Sequence, residues 1–243
     1  MQQEEPGLIA HLFYPRIIVK KRSLIALAIF MAVIIIDQII KIVVKTNMSL
    51  YEQIDVTSWC KILFVENRGM AFGMSFIGTS ILSAFRIVAV VAFVYLLVVL
   101  CRRKYPIGLV ACVALVVAGA LGNIIDNCFY GLCFSESLPY NLPAEFDGWG
   151  NGYSHFLSGK VGDMFYFPFF TWPDWMPLVG GDVFFGAVFN FADAAISCGA
   201  VAILLFYNKY LTGKDKKADT EKAAAPTNAE ANIPADDNKS TNP

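Results

Sequence analysis

Residues 22–45 read RSLIALAIFMAVIIIDQIIKIVVK, an apolar stretch with a basic residue at each end. Thirteen of these residues, Leu24 to Ile36, are apolar without a break. Because about 20 helical residues cross the hydrocarbon core of a bilayer, the stretch predicts a membrane span despite Asp37 and Lys41 near its far end. A cleaved signal peptide fits less well, since its apolar region would be shorter and no Ala-x-Ala-like cleavage site follows.

Three further apolar runs follow along the chain. We expect a helix in each, because lipid offers no hydrogen-bond partner to free backbone groups. The four predicted spans cover about residues 23–44, 78–100, 107–125 and 183–207. The sequence therefore predicts an all-α membrane protein built as a bundle of four transmembrane helices.

The composition favours the same class of protein. Of the 243 residues, 56 % are hydrophobic and 16 % charged, whereas soluble domains have about 45–50 % apolar and about 25 % charged residues. The formal net charge is −1. The sequence has no Lys- and Arg-rich face, so it does not predict binding to nucleic acid. Two histidines, and six cysteines without a Cys-x-x-Cys pair, predict neither a zinc site nor a thioredoxin-like redox site.

Basic residues give the predicted bundle an orientation. Eleven Lys and Arg residues flank the spans on one side, against four in two longer loops on the other. Both termini are then cytoplasmic, and loops 45–77 and 127–182 face outward. The strand signal at Trp59–Val65 predicts a small extracytoplasmic β-rich element, and the second loop is a long, aromatic-rich one. Residues 1–212 form the predicted membrane domain, followed by a polar tail, 213–243, that we expect to be disordered.

Polar residues within the spans share one depth. At about 1.5 Å per helical residue, Asp37 lies about 10 Å from the outer surface and Arg86 about 12 Å. Each ionisable group in hydrocarbon costs at least about 2.5–3.5 kcal/mol, so their convergence predicts a functional site in the outer third of the membrane. The polar residues placed there are Asp37, Arg86, Asn123, Asp126, Asn190 and Asp193.

Structural roles are open for several of these residues. Asp37 and Lys41, at i and i+4, can neutralise each other, and Asn123 and Asn190 can hydrogen-bond between helices. Asp193 has no basic neighbour in its span, so it should be protonated or share a proton with a second carboxylate.

Asp126 and Asp163 are the nearest candidates for that second carboxylate. Two aspartates sharing a proton can hold a water between them, as in aspartic proteases. Asp163 lies in a hydrophobic stretch of the outer loop, and by itself it is better interpreted as a solvated loop carboxylate.

Five stretches, in this order, resemble the bacterial lipoprotein signal peptidases, which are type II signal peptidases with four spans and an aspartic mechanism. They cover about residues 23–207. The family's patterns are the Asp and Lys of the first helix, Asn-x-Gly-x-Ala-Phe-Gly, Gly-x-x-Gly-Asn-x-x-Asp, Val-Val-Asp-Phe and Phe-Asn-x-Ala-Asp. The matching stretches here are 37–41 (DQIIK), 67–73 (NRGMAFG), 119–126 (GALGNIID), 161–165 (VGDMF) and 189–193 (FNFAD).

This resemblance implies that Asp163 and Asp193 are the catalytic pair, with Asn67 or Asn190 binding the oxyanion, and that neither a metal nor an organic cofactor is needed. It implies substrate-binding or supporting roles for the other motif residues, which are Asp37, Lys41, Asn67, Arg68, Gly69, Asn123, Asp126, Asn190 and Ala192.

The resemblance also implies a substrate and a location. The substrate is a prolipoprotein whose Cys carries diacylglycerol, cut on the N-terminal side of that Cys. The enzyme is then a multi-pass protein of the bacterial cytoplasmic (inner) membrane, in contact with membrane lipid, with its active site near the outer face. We also expect a monomer that is inhibited by globomycin-type cyclic peptides.

The chain departs from the family pattern in two respects. Asn127 stands where the family has Arg, so Asp126 is expected to find a charge partner elsewhere, in Arg68 or Arg86. Two long insertions, 131–160 and 164–188, have no assigned role. The pairing of the predicted extracytoplasmic cysteines also stays open: Cys60, Cys128 and Cys133.

Two other functional classes remain as alternatives. A proton-coupled small membrane transporter also uses intramembrane carboxylates, but it predicts polar residues across the full membrane depth, and no internal repeat is visible here. A structural membrane subunit predicts that losing either Asp163 or Asp193 leaves function intact.

Overall fold

Long apolar runs form the helices that can cross a membrane. In the computed structural model, which describes residues 8–67, 79–140 and 142–211, helix α1 covers Leu8–Asn47, α2 Thr79–Arg102 and α3 Ile107–Ile125. Arg68, Gly69 and the tail 213–243 lie outside the described residues. Three helical segments are long and apolar enough to span a bilayer, and they are Lys20–Asn47, Ala84–Arg102 and Ile107–Cys133. The chain is thus a helical membrane protein.

The third helix continues beyond its predicted end through a wider turn. A π-helical turn, Asp126–Tyr130, and a short helix α4, Gly131–Cys133, follow α3 directly. Turns of this kind are rare and frequently occur at functional sites. Asp126 and Asn127 begin this turn and are both fully buried.

The fourth apolar run is helical only in about its last two thirds. We predicted a span over 183–207, but helix α5 covers Phe191–Phe206, and strands β5 (Val183–Phe184) and β6 (Val188–Phe189) precede it. A short run of aromatic and branched residues fits a strand as well as a helix, so hydrophobicity alone placed the boundary too early. At about 1.5 Å per residue, the 16 residues of α5 extend about 24 Å.

Helix α3 lies at the centre and packs against α1, α2 and α5. Two glycines allow this close approach. A Cβ atom on Gly119 would overlap the carbonyl oxygen of Ala192, and one on Gly122 would lie 2.8 Å from Asp37 Oδ2. Small residues at helix contacts let backbones approach in membrane proteins. The Gly-x-x-Gly spacing therefore brings α1 and the start of α5 against one face of α3.

A small antiparallel sheet covers one end of the bundle. Its strands are β1 (Gln53–Asp55), β2 (Lys61–Asn67), β3 (Val161–Tyr166) and β6, in the order β1-β2-β3-β6. The predicted strand at Trp59–Val65 is β2, shifted by two residues. A separate pair joins β4 (Phe170–Thr171) to β5.

The sheet is fixed to the end of α1 by a hydrophobic cluster. Phe64 of β2 and Met164 of β3 are buried against Val44 and Met48 of α1. In the β2–β3 register, Val65 lies opposite Asp163. The sheet thus holds Asp163 at the level where α1 ends.

A buried ionic cluster attaches the first insertion to α1. Lys45 Nζ lies 2.6 Å from Glu66 Oε1 and donates to Ser137 Oγ at 2.8 Å. Lys160 Nζ lies 3.5 Å from Glu66 Oε2 and 2.9 Å from Glu136 Oε1. This cluster joins the end of α1, strand β2 and both ends of the insertion 131–160. All six cysteines of the chain are free, so Cys60, Cys128 and Cys133 form no disulfide in this structure.

Beyond α5, the described part of the chain contains one further helix, α6 (Asn208–Leu211).

Candidate active site

One asparagine contacts both of the carboxylates that were predicted to form the catalytic pair. Asn190 Nδ2 donates to Asp163 Oδ1 at 2.6 Å. The same residue exchanges hydrogen bonds with Asp193, since Asp193 N donates to Asn190 Oδ1 at 2.9 Å and Asn190 N to Asp193 Oδ2 at 3.4 Å. Asp163, from the sheet, and Asp193, from α5, are thus connected through Asn190 although 30 positions separate them in the chain.

The contact between Asn190 and Asp193 is a helix cap. Asn190 immediately precedes α5, and Asp193 lies three residues later in its first turn. Reciprocal bonding between these two positions is the capping-box arrangement, which satisfies backbone N–H groups that a helix start leaves unpaired. The sequence FNFAD therefore fixes the position of Asp193 through hydrogen bonds that are local to the helix start.

Asn123 of α3 links this pair to α1. Its Nδ2 donates to Asp193 Oδ1 at 2.8 Å. Its Oδ1 accepts from Asn190 Nδ2 at 3.1 Å and from Lys41 Nζ at 2.8 Å. Both amide hydrogens of Asn190 are consequently engaged, one by Asp163 and one by Asn123. Asn190, which we expected as one possible oxyanion donor, has no side-chain hydrogen left for that role in this structure.

A buried ion triad is connected to the aspartate pair through Asn123. Lys41 Nζ lies 2.9 Å from Asp37 Oδ2 and 2.8 Å from Asp126 Oδ2, and all three side chains are fully buried. Lys41 is thus a cation bound to Asp126, where we expected Arg68 or Arg86, and Arg68 lies outside the described residues. The predicted pairing of Asp37 with Lys41 is present, and Asp126 shares the same cation.

Gln38 completes the triad, although the sequence analysis did not select it. Its Nε2 donates to Asp126 Oδ1 at 2.9 Å, and its Oε1 accepts from Tyr130 OH at 3.2 Å. The available signal was a polar amide within an otherwise apolar helix, next to Asp37. It was overlooked because an uncharged residue does not raise the same insertion cost as an ion.

Asp37 also acts as a cap on a different helix. Its Oδ1 accepts from the backbone N–H of Ala192 at 2.9 Å. That N–H belongs to the first turn of α5, where helices lack internal acceptors. The negative charge also suits the positive end of the α5 dipole. The small side chain of Ala192 is fully buried. A Cβ atom added to Gly122 would lie 3.3 Å from the Cβ of Ala192.

Arg86 of α2 approaches the site from the remaining side. Its Nη1 donates to Asn127 Oδ1 at 3.0 Å, and Asn127 Nδ2 donates to the carbonyl oxygen of Gly159 at 2.8 Å. Its positive charge interacts electrostatically with Asp193 and Asp163. The residue that replaces the family's Arg therefore binds an arginine that comes from another helix.

The environment of Asp163 changes its protonation. Burial, and then the neighbouring charge of Asp193, raise the pKa of Asp163 from 3.8 to about 7, against the opposing effects of the Asn190 hydrogen bond and Lys41. A carboxyl group with this pKa is about half protonated at neutral pH, so it can give up or accept a proton there. Proton transfer of this kind is what general acid–base hydrolysis requires.

Asn67 is the one further described motif residue. It ends β2 opposite Val161, two residues before Asp163 on the neighbouring strand, and its side chain is exposed. Arg68 and Gly69, predicted to act with Asn67, fall in the undescribed segment 68–78. Among the described residues, no group of three His, Cys, Asp or Glu side chains is arranged to hold a metal ion.

Comparison with known proteins identifies the family. The family model described as signal peptidase (SPase) II matches residues 29–209. The lipoprotein signal peptidase of Porphyromonas gingivalis is 44 % identical over 185 residues, which cover 74 % of this chain and 81 % of that protein. The lipoprotein signal peptidase of Amoebophilus asiaticus is 32 % identical over 182 residues, covering 71 % and 72 %.

A solved structure of a bacterial membrane enzyme, obtained by the in meso method at 1.9 Å resolution, shares the fold. Its TM-score is 0.50 at 22 % identity, over 74 % of this chain and 90 % of that chain. The family match spans the helices and strands that carry Asp163, Asp193 and their neighbours. The chain therefore belongs to the signal peptidase II family.

Proposed function

We propose that this protein is an intramembrane aspartic endopeptidase that removes signal peptides from prolipoproteins, with Asp163 and Asp193 as the catalytic residues. The observation that carries the proposal is the position of Asn190, which hydrogen-bonds Asp163 and exchanges two hydrogen bonds with Asp193. A single residue thereby sets both carboxylates around one point, where a water can be held.

The proposed reaction is a general acid–base hydrolysis. The oxygen of the water attacks the carbonyl carbon of the scissile peptide, and the ionised carboxylate of the pair accepts the proton that the water loses. The protonated carboxyl of the pair then donates its proton to the leaving amine as the C–N bond breaks. The raised pKa of Asp163 makes it the protonated member at the start, and Asp193 the base.

Asn123 has a positioning role in this scheme. Its amide donates to Asp193 and accepts from Lys41, so the carboxylate that acts as base is held by a chain of buried hydrogen bonds. The cation Arg86 provides positive charge near both aspartates. We assign it the task of limiting the charge repulsion between them and with the negative oxyanion of the transition state.

We propose that the substrate is a prolipoprotein with a diacylglyceryl-modified Cys, cleaved on the N-terminal side of that Cys. The names of the relatives from P. gingivalis and A. asiaticus support this class of substrate. The position of the site also supports it, because the pair lies among helices whose outward faces are apolar. A lipidated residue and an apolar signal helix can therefore approach it laterally through the membrane.

The finer topology is part of the same proposal. We propose that α5 is a fourth, shorter span, that both termini are cytoplasmic, and that the site lies near the outer face of the bacterial inner membrane. The excess of basic residues at the opposite ends of the helices supports this orientation. We also propose that the protein acts as a monomer, and that globomycin-type cyclic peptides inhibit it.

The decisive experiment measures cleavage of a purified, lipidated precursor by Asp163→Asn and Asp193→Asn variants. Each exchange keeps the size of the side chain but removes the ability to transfer a proton, so we expect both to abolish turnover. Asp174→Asn is the matched control, because Asp174 is exposed on the hairpin between β4 and β5.

Two outcomes would contradict the proposal. Turnover at the control rate in either aspartate variant, in protein that elutes and melts like the parent, would remove that residue from the pair. Failure of all proteins, the parent included, to cut a lipidated precursor would exclude the substrate class.

A further inference from the structure

A groove of about 410 Å³ lies where the end of α1, the end of α3 and the first insertion meet. Its floor is formed by the end of α1 and by the π-helical turn, through Ile42, Thr46 and Phe129. Its outer wall comes from the first insertion, through Phe146 and Trp149. This groove therefore exists only because the insertion 131–160 folds back over the end of the bundle.

The hydroxyl and thiol groups of the lining are hydrogen-bonded to other atoms of the protein. Thr46 Oγ1 donates to the carbonyl oxygen of Ile42 at 2.8 Å, and Tyr130 OH donates to Gln38 Oε1 at 3.2 Å. Cys133 Sγ donates to the carbonyl oxygen of Phe129 at 3.1 Å. Water needs two to four polar partners to occupy a cavity, and these hydroxyl and thiol groups are already bonded elsewhere. The chemistry of the groove therefore suits a hydrocarbon occupant.

The groove is continuous with the lipid-facing side of α1. Ile35, Ile39 and Val43 are exposed and recur every four residues, so they form one apolar stripe along the helix. Ile42 and Thr46 extend the adjacent row into the groove. At the mouth, Trp149 is 68 % exposed, and tryptophan is enriched at the boundary between hydrocarbon and headgroups. Lipid that covers the stripe thus meets the opening of the groove.

The volume argues for a slender occupant. An α-helix is about 10 Å wide with its side chains and rises about 5.4 Å per turn, so one turn alone fills roughly 400 Å³. A helix from another protein, or from a second copy of this chain, would need several turns of contact. A single hydrocarbon chain is much narrower and can lie along the groove for most of its length.

We infer that this groove binds one acyl chain of a bilayer phospholipid from the leaflet nearest the aspartate pair. The bound chain fills the space between the insertion and the end of α1 and is sealed at the mouth by Trp149, whose ring packs edge-on to Phe129 at 6.0 Å. The insertion, which had no assigned role, thus forms one wall of a lipid site.

The test uses the full-length protein in bilayers that contain a trace of phosphatidylcholine with a photoreactive diazirine on the glycerol-proximal part of one acyl chain. After irradiation, mass spectrometry locates the labelled residues. We expect labelling of Phe129, Phe146 and Trp149 in excess of Val91 and Val94, which are exposed apolar residues of α2.

Two substitutions that each introduce Phe on α1 distinguish binding in the groove from general contact with lipid. Thr46→Phe fills the groove, and we expect it to reduce labelling of Phe146 and Trp149 to the level of α2. Ile39→Phe, on the lipid-facing stripe of the same helix, should leave their labelling unchanged. Equal labelling of groove and α2 in the parent protein, or undiminished labelling in Thr46→Phe, would overturn the inference.

A second measurement avoids dependence on the folding of Thr46→Phe. Replacing Trp59, Trp172 and Trp175 by Phe leaves Trp149 as the single tryptophan. Phospholipids brominated on the acyl chain should quench its fluorescence at a lower mole fraction than they quench a single Trp placed at Val94. Identical quenching curves at the two positions would contradict an acyl-chain site.

Discussion

Asp163 and Asp193 have the same side chain but unequal surroundings. Asp163 is buried on a strand and receives the shortest hydrogen bond of the site, 2.6 Å from Asn190. Asp193 is only half-buried, at the start of a helix. Burial penalises the charged form of a carboxyl group, which raises the pKa of Asp163 to about 7. In the proposed mechanism this difference in surroundings gives the two residues different roles.

The raised pKa of Asp163 predicts the pH dependence of cleavage. Below a pH of about 7 this carboxyl is protonated and can act as the acid, and above it the proton is lost. We therefore expect kcat/KM for a lipidated precursor to fall as the pH rises through about 7. The same shift makes the folded state less stable as the pH rises from 3.8 to about 7, since the unfolded chain releases this proton earlier.

Initial rates measured across neutral pH check this prediction, with Asp174→Asn as the control that should keep the parent's profile. The pair titrates as a unit, so the measured midpoint belongs to both carboxyls together. A rate that stays constant through neutral pH would show that Asp163 is not the acid.

Lys41 and Asp37 should differ in their contribution to stability. Lys41→Met leaves Asp37 and Asp126 buried without their shared cation, and removing one partner of a buried ion pair costs about 3–5 kcal/mol. Asp37→Asn removes one negative charge from a triad that contains two, and its remaining oxygen can still accept from the Ala192 N–H. We therefore expect a much smaller loss of unfolding free energy in Asp37→Asn, measured by SDS titration of the purified proteins.

A comparable loss in both variants would mean that the charge balance of the triad does not set its contribution to stability. At this scale the sequence predicted the pairing of Asp37 with Lys41, because i and i+4 positions meet on one helix face. It did not predict that Asp126 shares the cation, since that contact joins helices 85 positions apart and depends on how α1 and α3 pack.

Helix α5 begins directly after its N-cap residue, Asn190, and this residue is also part of the candidate active site. Asn190→Ala removes the side-chain acceptor for Asp193 N and should cost about 0.5–2 kcal/mol of stability. Asn190→Ser restores a capping oxygen but is too short to reach Asp163 and Asn123. We expect Asn190→Ser to melt close to the parent and yet to lose most of its cleavage activity.

Thermal unfolding and precursor cleavage, measured side by side on the two Asn190 variants, check this separation. Full activity in Asn190→Ser would show that the hydrogen bond to Asp163 is dispensable and that Asn190 acts only as a cap. Equal destabilisation of both variants would show that the contacts of its amide, and not the cap, hold α5.

The elements show where sequence reasoning succeeds and where it stops. A long apolar run with a single polar residue, Asn123, predicted α3 over Ile107–Ile125. The run from Val183 contains both strand and helix, and the change occurs at Asn190, whose preference for a cap outweighs the apolar pattern. The pairing of β3 with β2 and β6 could not be predicted, since it joins segments that are far apart in the chain.

The ionic cluster around Glu66 should govern whether the first insertion stays attached to the rest of the molecule. Glu66→Gln leaves Lys45, which is 2 % exposed, without an anion, and we expect a loss of about 3–5 kcal/mol. Lys160→Met removes a more exposed partner whose other contact, Glu136, is half in solvent, so it should cost only about 0–1 kcal/mol.

Limited proteolysis of the folded protein measures this difference directly. Cleavage within residues 134–160 should be much faster in Glu66→Gln than in the parent, while Lys160→Met should resemble the parent. Equal protection of the segment in all three proteins would show that hydrophobic packing, rather than the buried charges, holds the insertion in place.

The pairing of β3 with β6 has a consequence for how this molecule can vary. Phe165 lies opposite Phe189 and Tyr166 opposite Val188, so the chain leaves the sheet just after one aspartate and returns to it just before the other. The segment between those two pairs, residues 167–187, is a loop whose two ends lie side by side in the sheet. The length of this segment can therefore change in evolution, or by insertion of a tag, without altering the spacing of Asp163 and Asp193 on which the proposed hydrolysis depends.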